Sequence, residues 1–121
     1  MIDEARSMHI GEVVDRTGLS HRTMRHYDEV GLVTPTGRTE GGFRLYTDDD
    51  VERLLLIRRM KPLGYSIEEM KALLETVDPL SDAKAARAIL DGFVEDAQAR
   101  RTKLAEQLTM ADEFIALLLA R

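Results

Sequence analysis

The chain has 121 residues, of which 44% are hydrophobic and 5% aromatic; it contains neither Trp nor Cys, and its net charge is −5. This length predicts one domain, or one small domain with an extension, and so short a chain buries a limited fraction of its surface without a partner. The lack of cysteine excludes disulfides, thiolate metal sites and cysteine nucleophiles, and fits a reducing cytoplasm. No apolar run is long enough to predict a membrane span, and the start, with Asp3 and Glu4, does not read as a signal peptide.

The first two predicted helices have the spacing of a helix-turn-helix. Apolar residues between Ile10 and Val14 indicate a short helix that ends near Thr17, before Gly18, a residue free to adopt a positive φ. Ser20 is a suitable N-cap for a second helix that stops at Gly31. Two short helices joined by a three-residue turn containing Gly match the helix-turn-helix motif.

A β-hairpin is predicted next, between residues 32 and 47. Pro35 and three glycines oppose a helix in this stretch. The run Phe43–Tyr46 reads as a short strand, and the Thr-Glu-Gly-Gly sequence before it is a hairpin signal.

Two further helices follow the hairpin. Thr47 caps the third, which carries three aspartates in its first turn, an apolar face that includes Leu54, and a stop at Pro62 and Gly64. Ser66 and, three residues later, Glu69 form a capping box that opens the fourth helix.

The last predicted helix is long and carries the seam of a coiled coil. Pro79 marks a break, and Ser81 or Asp82 begins the helix, which would extend about 58 Å at 1.5 Å per residue. Its apolar stripe is too long to be covered by a domain of this size, so we expect it to pack against a second copy. The seam positions alternate in steps of four and three residues, and eight of the nine are apolar: Leu90, Val94, Ala97, Arg101, Leu104, Leu108, Ala111, Ile115 and Leu118.

The ordered set of motifs between about Met8 and Thr76 resembles the MerR-type transcriptional regulators of bacteria. Each motif alone is weak evidence for the resemblance, whereas the whole set, in order and without gaps, is strong evidence. The matching segments are Ile10–Val13, Thr17–Ser20, Arg22–Asp28, Val30–Leu32, Gly42–Tyr46, Asp50–Val51 and Leu63–Glu69. His26 departs from the pattern, because an aromatic residue more usually precedes Tyr27.

The resemblance implies a mostly α fold: a winged helix-turn-helix DNA-binding domain over residues 8–76, with a helix pair, and a dimerisation helix over residues 80–121. It also implies that the long helices of a homodimer pair antiparallel as a coiled coil. Such dimers bind double-stranded promoter DNA whose −35 to −10 spacer is too long, and distort it so that RNA polymerase engages both elements.

The predicted DNA contacts fall in three groups. The first turns of the second helix carry five of them, with Arg22 placed to reach bases and Arg25 to contact DNA or, alternatively, to pair with Asp28 or Glu29. On the predicted strand, positions i and i+2 share a face, so Arg44 and Tyr46 are expected to point away from the core, against the alternative of a merely solvated hairpin face. The full predicted set is Ser20, His21, Arg22, Thr23, Arg25, Tyr27, Arg38, Arg44, Tyr46, Lys61 and Tyr65.

Several of these residues have a structural reading beside the functional one. Tyr27 is expected to pack in the core, to contact a phosphate, or both. Arg58, Arg59 and Lys61 form a basic cluster that leads to Tyr65. The cluster is either the solvated side of a helix or part of a second wing, in which Lys61 or Tyr65 contacts a phosphate. Arg101 has two readings within the seam. Its methylene groups pack along the seam while the guanidinium reaches water. Alternatively, an antiparallel two-fold axis near residues 103–104 places it close to Glu106 of the partner subunit and fixes the register.

No metal site, cofactor or catalytic constellation is predicted, so the chain does not read as an enzyme. None of the three histidines forms a pair four residues apart on a helix. Two alternatives to a regulator are a ligand-sequestering protein on the same scaffold and a coiled-coil adaptor. A ligand-sequestering protein does not need a set of DNA-contacting residues such as Arg22, Arg25, Arg44 and Tyr46. The sequence identifies no effector.

Overall fold

The computed structural model describes residues 7–78 and 82–121, and these divide into two compact units that meet in sequence between Lys71 and Ala72. The fold is mostly helical, as predicted, with a small sheet as the wing. The elements in chain order are β1 (Met8–His9), α1 (Ile10–Thr17), α2 (His21–Glu29), β2 (Gly37–Arg38), β3 (Arg44–Tyr46), α3 (Asp48–Met60), a 3-10 turn (Lys61–Leu63), α4 (Ile67–Thr76) and α5 (Ala83–Leu119).

The predicted helix-turn-helix is confirmed at each of its boundaries. α1 ends at Gly18, whose φ of 73° is left-handed and whose N–H donates to Val14 O at 2.8 Å. Ser20 caps α2 by accepting a hydrogen bond from Thr23 N at 3.1 Å. The cap and the left-handed glycine set the direction in which α2 leaves the turn.

The predicted hairpin is confirmed and is part of a three-stranded antiparallel sheet of order β1-β3-β2. Arg38 of β2 stands opposite Arg44 of β3, and Met8 of β1 stands opposite Tyr46. β1 is not predicted, because two residues are too few to show the alternation typical of a strand. Its pairing makes β3 the middle strand.

α3 begins with a capping box in which the Thr47 side chain accepts from Asp50 N and the Asp50 carboxylate accepts from Thr47 N. Asp50 is buried, and it also accepts hydrogen bonds from Thr36 Oγ1 at 2.6 Å and from Arg53 Nη1 at 3.1 Å. The predicted Thr47 cap is confirmed. The carboxylate does more than favour the helix dipole, because it joins α3 to the loop before β2.

The remaining predicted boundaries of the first unit also hold. The 3-10 turn after α3 contains Pro62 and ends at Gly64, with φ 84°. Ser66 and Glu69 exchange hydrogen bonds as a capping box at the start of α4. The buried apolar residues of this unit come from its helices, from β1 and β3 and from the connecting loops. The most completely covered are Val13, Met24, Tyr46, Leu54 and Ile57.

α5 is a single helix of 37 residues, capped at its start by Asp82, whose carboxylate accepts from Lys84 N and Ala85 N. None of its residues is buried within the chain. Two ion pairs on its exposed surface stabilise the helix, Arg87 with Asp91 and Arg100 with Asp96; the partners of each pair are four residues apart. The predicted break at Pro79, the alternative start at Ser81 and the chain start at residues 1–6 lie outside the described residues.

Candidate DNA interface

The first two turns of α2 present basic side chains on the surface of the protein. His21, Arg22 and Arg25 are exposed, and neither arginine has a hydrogen bond or ion pair within residues 7–78 and 82–121. The alternative ion pair of Arg25 with Asp28 or Glu29 is therefore wrong. Arg22, Arg25, His26 and Glu29 line an open surface hollow on this helix. The helix thus offers several donors on one exposed face.

Tyr27 belongs to the core, one of the two readings left open by the sequence. It is 3% exposed, and its burial raises the pKa of the phenol. The neighbouring His26 is exposed, with its ring centroid 6.2 Å from that of Tyr27. Tyr27 therefore anchors α2 with its ring, while His26 faces the side on which Arg22 and Arg25 lie.

The wing is connected to α2 by an ion-pair cluster. Arg44 Nε donates to Asp28 Oδ2 at 2.9 Å, and Arg38 Nη2 donates to the same oxygen at 3.3 Å. The Arg44 side chain is half-buried, whereas that of Arg38 is more exposed. The two strands of the wing and the end of α2 therefore form one continuous cationic surface around a single acid.

The expectation that Tyr46 points away from the core is wrong. Its exposed fraction is 0%, and its hydroxyl has no hydrogen-bond partner in the described part of the chain. Burial raises the pKa of Tyr46, and the nearby Arg44 guanidinium opposes that rise. The physical reason is long-range packing: Met8 of the additional strand β1 stands opposite Tyr46, and the consecutive Leu45 and Tyr46, whose side chains alternate between the two faces of the strand, are both buried.

The predicted second contact region separates into a buried and an exposed residue. Tyr65 is 8% exposed, so its ring packs in the interior, whereas Lys61 is exposed in the 3-10 turn. Tyr65 lies two residues beyond that turn and follows the left-handed Gly64. Lys61 is thus the better placed of the two to meet a phosphate.

Arg58 is a candidate that the sequence does not single out. A Cβ added to Gly18 would lie 3.6 Å from Cζ and Nη2 of Arg58, so the guanidinium stands beside the turn between α1 and α2. Arg58 has no hydrogen bond or ion pair among the described residues. Its sequence position shows only an exposed basic side of α3, because the packing of α3 against α1 is a long-range contact.

The described residues contain neither a candidate metal site nor a candidate membrane span. No group of three or more His, Cys, Asp or Glu side chains there could hold a metal ion, and no described helix is long and apolar enough to cross a membrane. A capped two-helix motif, with free arginines on its second helix and a wing beside it, defines the class of winged helix-turn-helix DNA-binding proteins.

Comparisons with known proteins identify the family. The model described as MerR HTH family regulatory protein matches residues 8–77, and the one described as MerR, DNA binding matches residues 51–118. The HTH-type transcriptional regulator YfmP of Bacillus subtilis strain 168 is 37% identical over 118 residues, with 89% of this chain and 80% of that protein covered. The chain belongs to the MerR family of regulatory proteins.

Other relatives are longer than the matched region. The heavy metal-dependent transcription regulator 2 of Rhizobium meliloti strain 1021 is 43% identical over 67 residues, which cover 55% of this chain and 46% of that protein. The chain therefore spans about half the length of several curated relatives that it matches.

Solved structures show the same fold. MtaN, the N-terminus of the Bacillus subtilis multidrug transporter activator, is 32% identical with a TM-score of 0.58, covering 92% of this chain and 93% of that one. HiNmlR, a MerR family regulator lacking the sensor domain and bound to promoter DNA, has a TM-score of 0.70 at 24% identity, with 91% and 88% covered. The HiNmlR likeness shows the fold alone.

Proposed function

We propose that the protein is a transcription regulator that binds promoter DNA sequence-specifically as a homodimer. The observation that carries the proposal is the concentration of unpaired or exposed cations around α2 and the wing, on a chain whose net charge is −5. Phosphate contacts require such donors, and they have to be grouped on one face rather than spread over the surface.

We assign base reading to α2 and backbone contacts to the elements around it. Arg22 lies in the first turn, where side chains of a recognition helix reach base edges in the major groove. Arg38 and Arg44 of the wing, with Lys61, supply phosphate contacts. We further assign Ser20, His21, Thr23 and Arg25 to the α2 contact surface, whereas the buried Tyr27, Tyr46 and Tyr65 support it from the interior.

The second copy is proposed from the exposed stripe of α5. Val94, Leu104, Leu108, Ile115 and Leu118 are each between 41% and 65% exposed, and they follow the seam spacing. A monomeric protein rarely leaves so long an apolar stripe in water. An antiparallel coiled coil of two α5 helices covers it and joins two DNA-binding units in one molecule.

We propose that the dimer acts by distorting an overlong promoter spacer, so that RNA polymerase can engage both promoter elements. Support comes from family membership and from the presence of two kinds of contact element, a helix and a wing, which hold DNA at separate points. The solved relative HiNmlR is described as bound to promoter DNA, and MtaN as part of a transporter activator. We accordingly propose that the protein acts in the cytoplasm and is not an enzyme.

Selection of genomic fragments tests the proposal. The wild-type chain and an Arg22→Ala/Arg25→Ala variant are incubated with sheared genomic DNA at two salt concentrations, and bound fragments are sequenced. We expect the wild type to enrich near-palindromic promoter elements with long spacers, and the variant to lose that enrichment. Equal recovery of random fragments by both proteins contradicts the proposal and favours the sequestering or adaptor alternatives.

A further inference from the structure

One carboxylate ties the end of α2 to both strands of the wing. Asp28 Oδ2 accepts hydrogen bonds from Arg44 Nε at 2.9 Å and from Arg38 Nη2 at 3.3 Å. Arg38 and Arg44 stand directly opposite each other on β2 and β3. Like charges in that arrangement repel, so the two guanidinium groups need a counter-charge to stay on one face. Asp28, with a side chain only 15% exposed, provides it.

The ion pair occupies only one edge of the Arg44 guanidinium. Its hydrogen bond to Asp28 uses Nε, and neither Nη1 nor Nη2 has a partner in residues 7–78 and 82–121. A guanidinium presents its donors in a rigid plane, and a phosphate binds two of them along one edge. The contact with Asp28 therefore fixes the side chain while leaving donors free for an anion.

The cluster as a whole keeps a positive charge. Two guanidinium groups share one carboxylate, so one positive charge is left over. Arg38 is held a second time, because its Nη1 donates to Gly42 O in the hairpin turn at 3.4 Å. The wing thus offers an anion a surface whose cations are already oriented before the anion arrives.

We infer that Asp28 is a positioning residue for DNA binding, holding Arg38 and Arg44 in the orientation in which they bind a backbone phosphate. The inference rests on the proposed function and deepens it, because it assigns a favourable role to an acid within the DNA-binding surface. Charge counting gives the opposite expectation, since removing a negative charge from a surface that faces phosphates should strengthen binding.

The chain contains a matched control for this inference. Glu29 is the next residue, is exposed, and has no ion pair or hydrogen bond in the described ranges. It borders the hollow lined by Arg22 and Arg25 rather than the wing. Glu29→Gln and Asp28→Asn therefore change the charge of α2 equally, one residue apart, and differ in whether wing arginines lose their partner.

The experiment measures binding of variants of the 121-residue chain to a DNA fragment enriched by the wild type, by fluorescence anisotropy across a salt series. We expect Glu29→Gln to bind as tightly as wild type or more tightly. Asp28→Asn should bind about tenfold more weakly, because Arg38 and Arg44 are no longer held in the orientation that binds a phosphate, and one such contact is lost. Its plot of log affinity against log salt should be shallower by roughly one phosphate contact.

Three further measurements separate positioning from folding. Titration against excess DNA gives the active fraction, which we expect to be unchanged in Asp28→Asn. In an Arg38→Ala/Arg44→Ala background, Asp28→Asn should have no further effect, because the residues it positions are gone. Asp28→Glu should recover part of the affinity that Asp28→Asn loses.

If Asp28→Asn does not fold, the inference can be tested by NMR on the wild-type protein. The Nε–H resonance of Arg44 should exchange slowly with water, both free and bound to DNA. Rapid exchange in the complex overturns the inference, as does Asp28→Asn binding with the affinity and salt slope of Glu29→Gln. Failure of the wild type to bind any genomic fragment is a different result, which overturns the proposed function.

Discussion

Thr36 donates a hydrogen bond of 2.6 Å to the buried carboxylate of Asp50, and this contact joins the loop before the wing to the first turn of α3. The same carboxylate caps α3 and accepts from Arg53, so a single buried acid both begins this helix and holds the loop before β2 against it. Since the wing follows Thr36 directly, the position of β2 depends on this contact.

Asp50→Asn should lower the free energy of unfolding by about 2–3 kcal/mol, because it leaves buried donors imperfectly satisfied. Asp49→Asn, at an exposed position in the same turn, is the control and should cost no more than about 0.5 kcal/mol. Urea unfolding followed by circular dichroism measures both. Equal effects of the two substitutions would show that Asp50 stabilises the protein through the helix dipole and not through its buried hydrogen bonds.

Gly18→Ala should destabilise the protein by about 1 kcal/mol, because a side chain at a φ of 73° is strained. The neighbourhood itself has room, since the nearest atom to the added Cβ would be 3.6 Å away. Gly11→Ala is the opposite case: it lies within α1 with nothing within 4 Å, and it should stabilise by about 0.5–1 kcal/mol. Thermal unfolding of the pair checks the sign of each, and a stabilising Gly18→Ala would contradict the turn geometry.

Tyr46→Phe should leave DNA affinity unchanged and should leave stability unchanged or raise it by up to about 1 kcal/mol. The hydroxyl that it removes is buried without a hydrogen-bond partner in the described residues. Its desolvation therefore destabilises the folded state, and no hydrogen bond offsets that loss. Anisotropy titrations and urea unfolding test the two halves of the prediction. A marked loss of DNA affinity in Tyr46→Phe would instead support the predicted contact between Tyr46 and DNA, which the burial of this side chain opposes.

The tyrosines also predict how stability depends on alkaline pH. Burial raises the pKa of Tyr27 and Tyr46 above 10.0, so the folded state favours their neutral forms. Because the folded pKa lies above the unfolded one, their contribution is fully present below pH 10 and is lost as pH rises through the folded pKa. Unfolding measured between pH 9 and 12 should show this fall, and Tyr46→Phe should make it less steep. An identical profile for the variant would assign the fall to other groups.

Leu104→Asp should dissociate the proposed dimer, because it places a charge in the middle of the seam. Ala99→Asp is matched to it, since Ala99 is exposed on the opposite side of α5, and should leave the dimer intact. Sedimentation velocity at several concentrations distinguishes the two. Arg101→Leu adds a test of register: unchanged affinity and unchanged helix alignment in crosslinking would show that Arg101 does not specify the pairing.

The sequence predicts those parts of the fold that depend on local chemistry. Gly18 and Ser20 give the helix-turn-helix boundaries because a left-handed turn and an N-cap are properties of a few adjacent residues. The burial of Tyr46 is different, since Met8 of β1, which stands opposite it, lies 38 residues earlier in the chain.

The same distinction applies to the candidate site. Arg44 is identifiable from its strand, but its partner Asp28 is not, because an acid near the end of a helix usually reads as solvated. Arg58 is likewise visible only as a charge, since its place beside Gly18 arises when α3 packs against α1. Sequence patterns indicate which cations are available, and long-range packing decides which of them share a surface.

In the dimer that we propose, the lack of any buried residue in α5 makes coverage of its apolar stripe depend on the amount of protein present. With the dimer proposed above, coverage of the stripe follows mass action, so the folded and DNA-competent fraction rises with concentration. A cell that makes few copies would hold mostly single chains, each bringing one recognition helix to a two-part element. Modest changes in synthesis or degradation would then alter promoter occupancy more than proportionally, without any ligand.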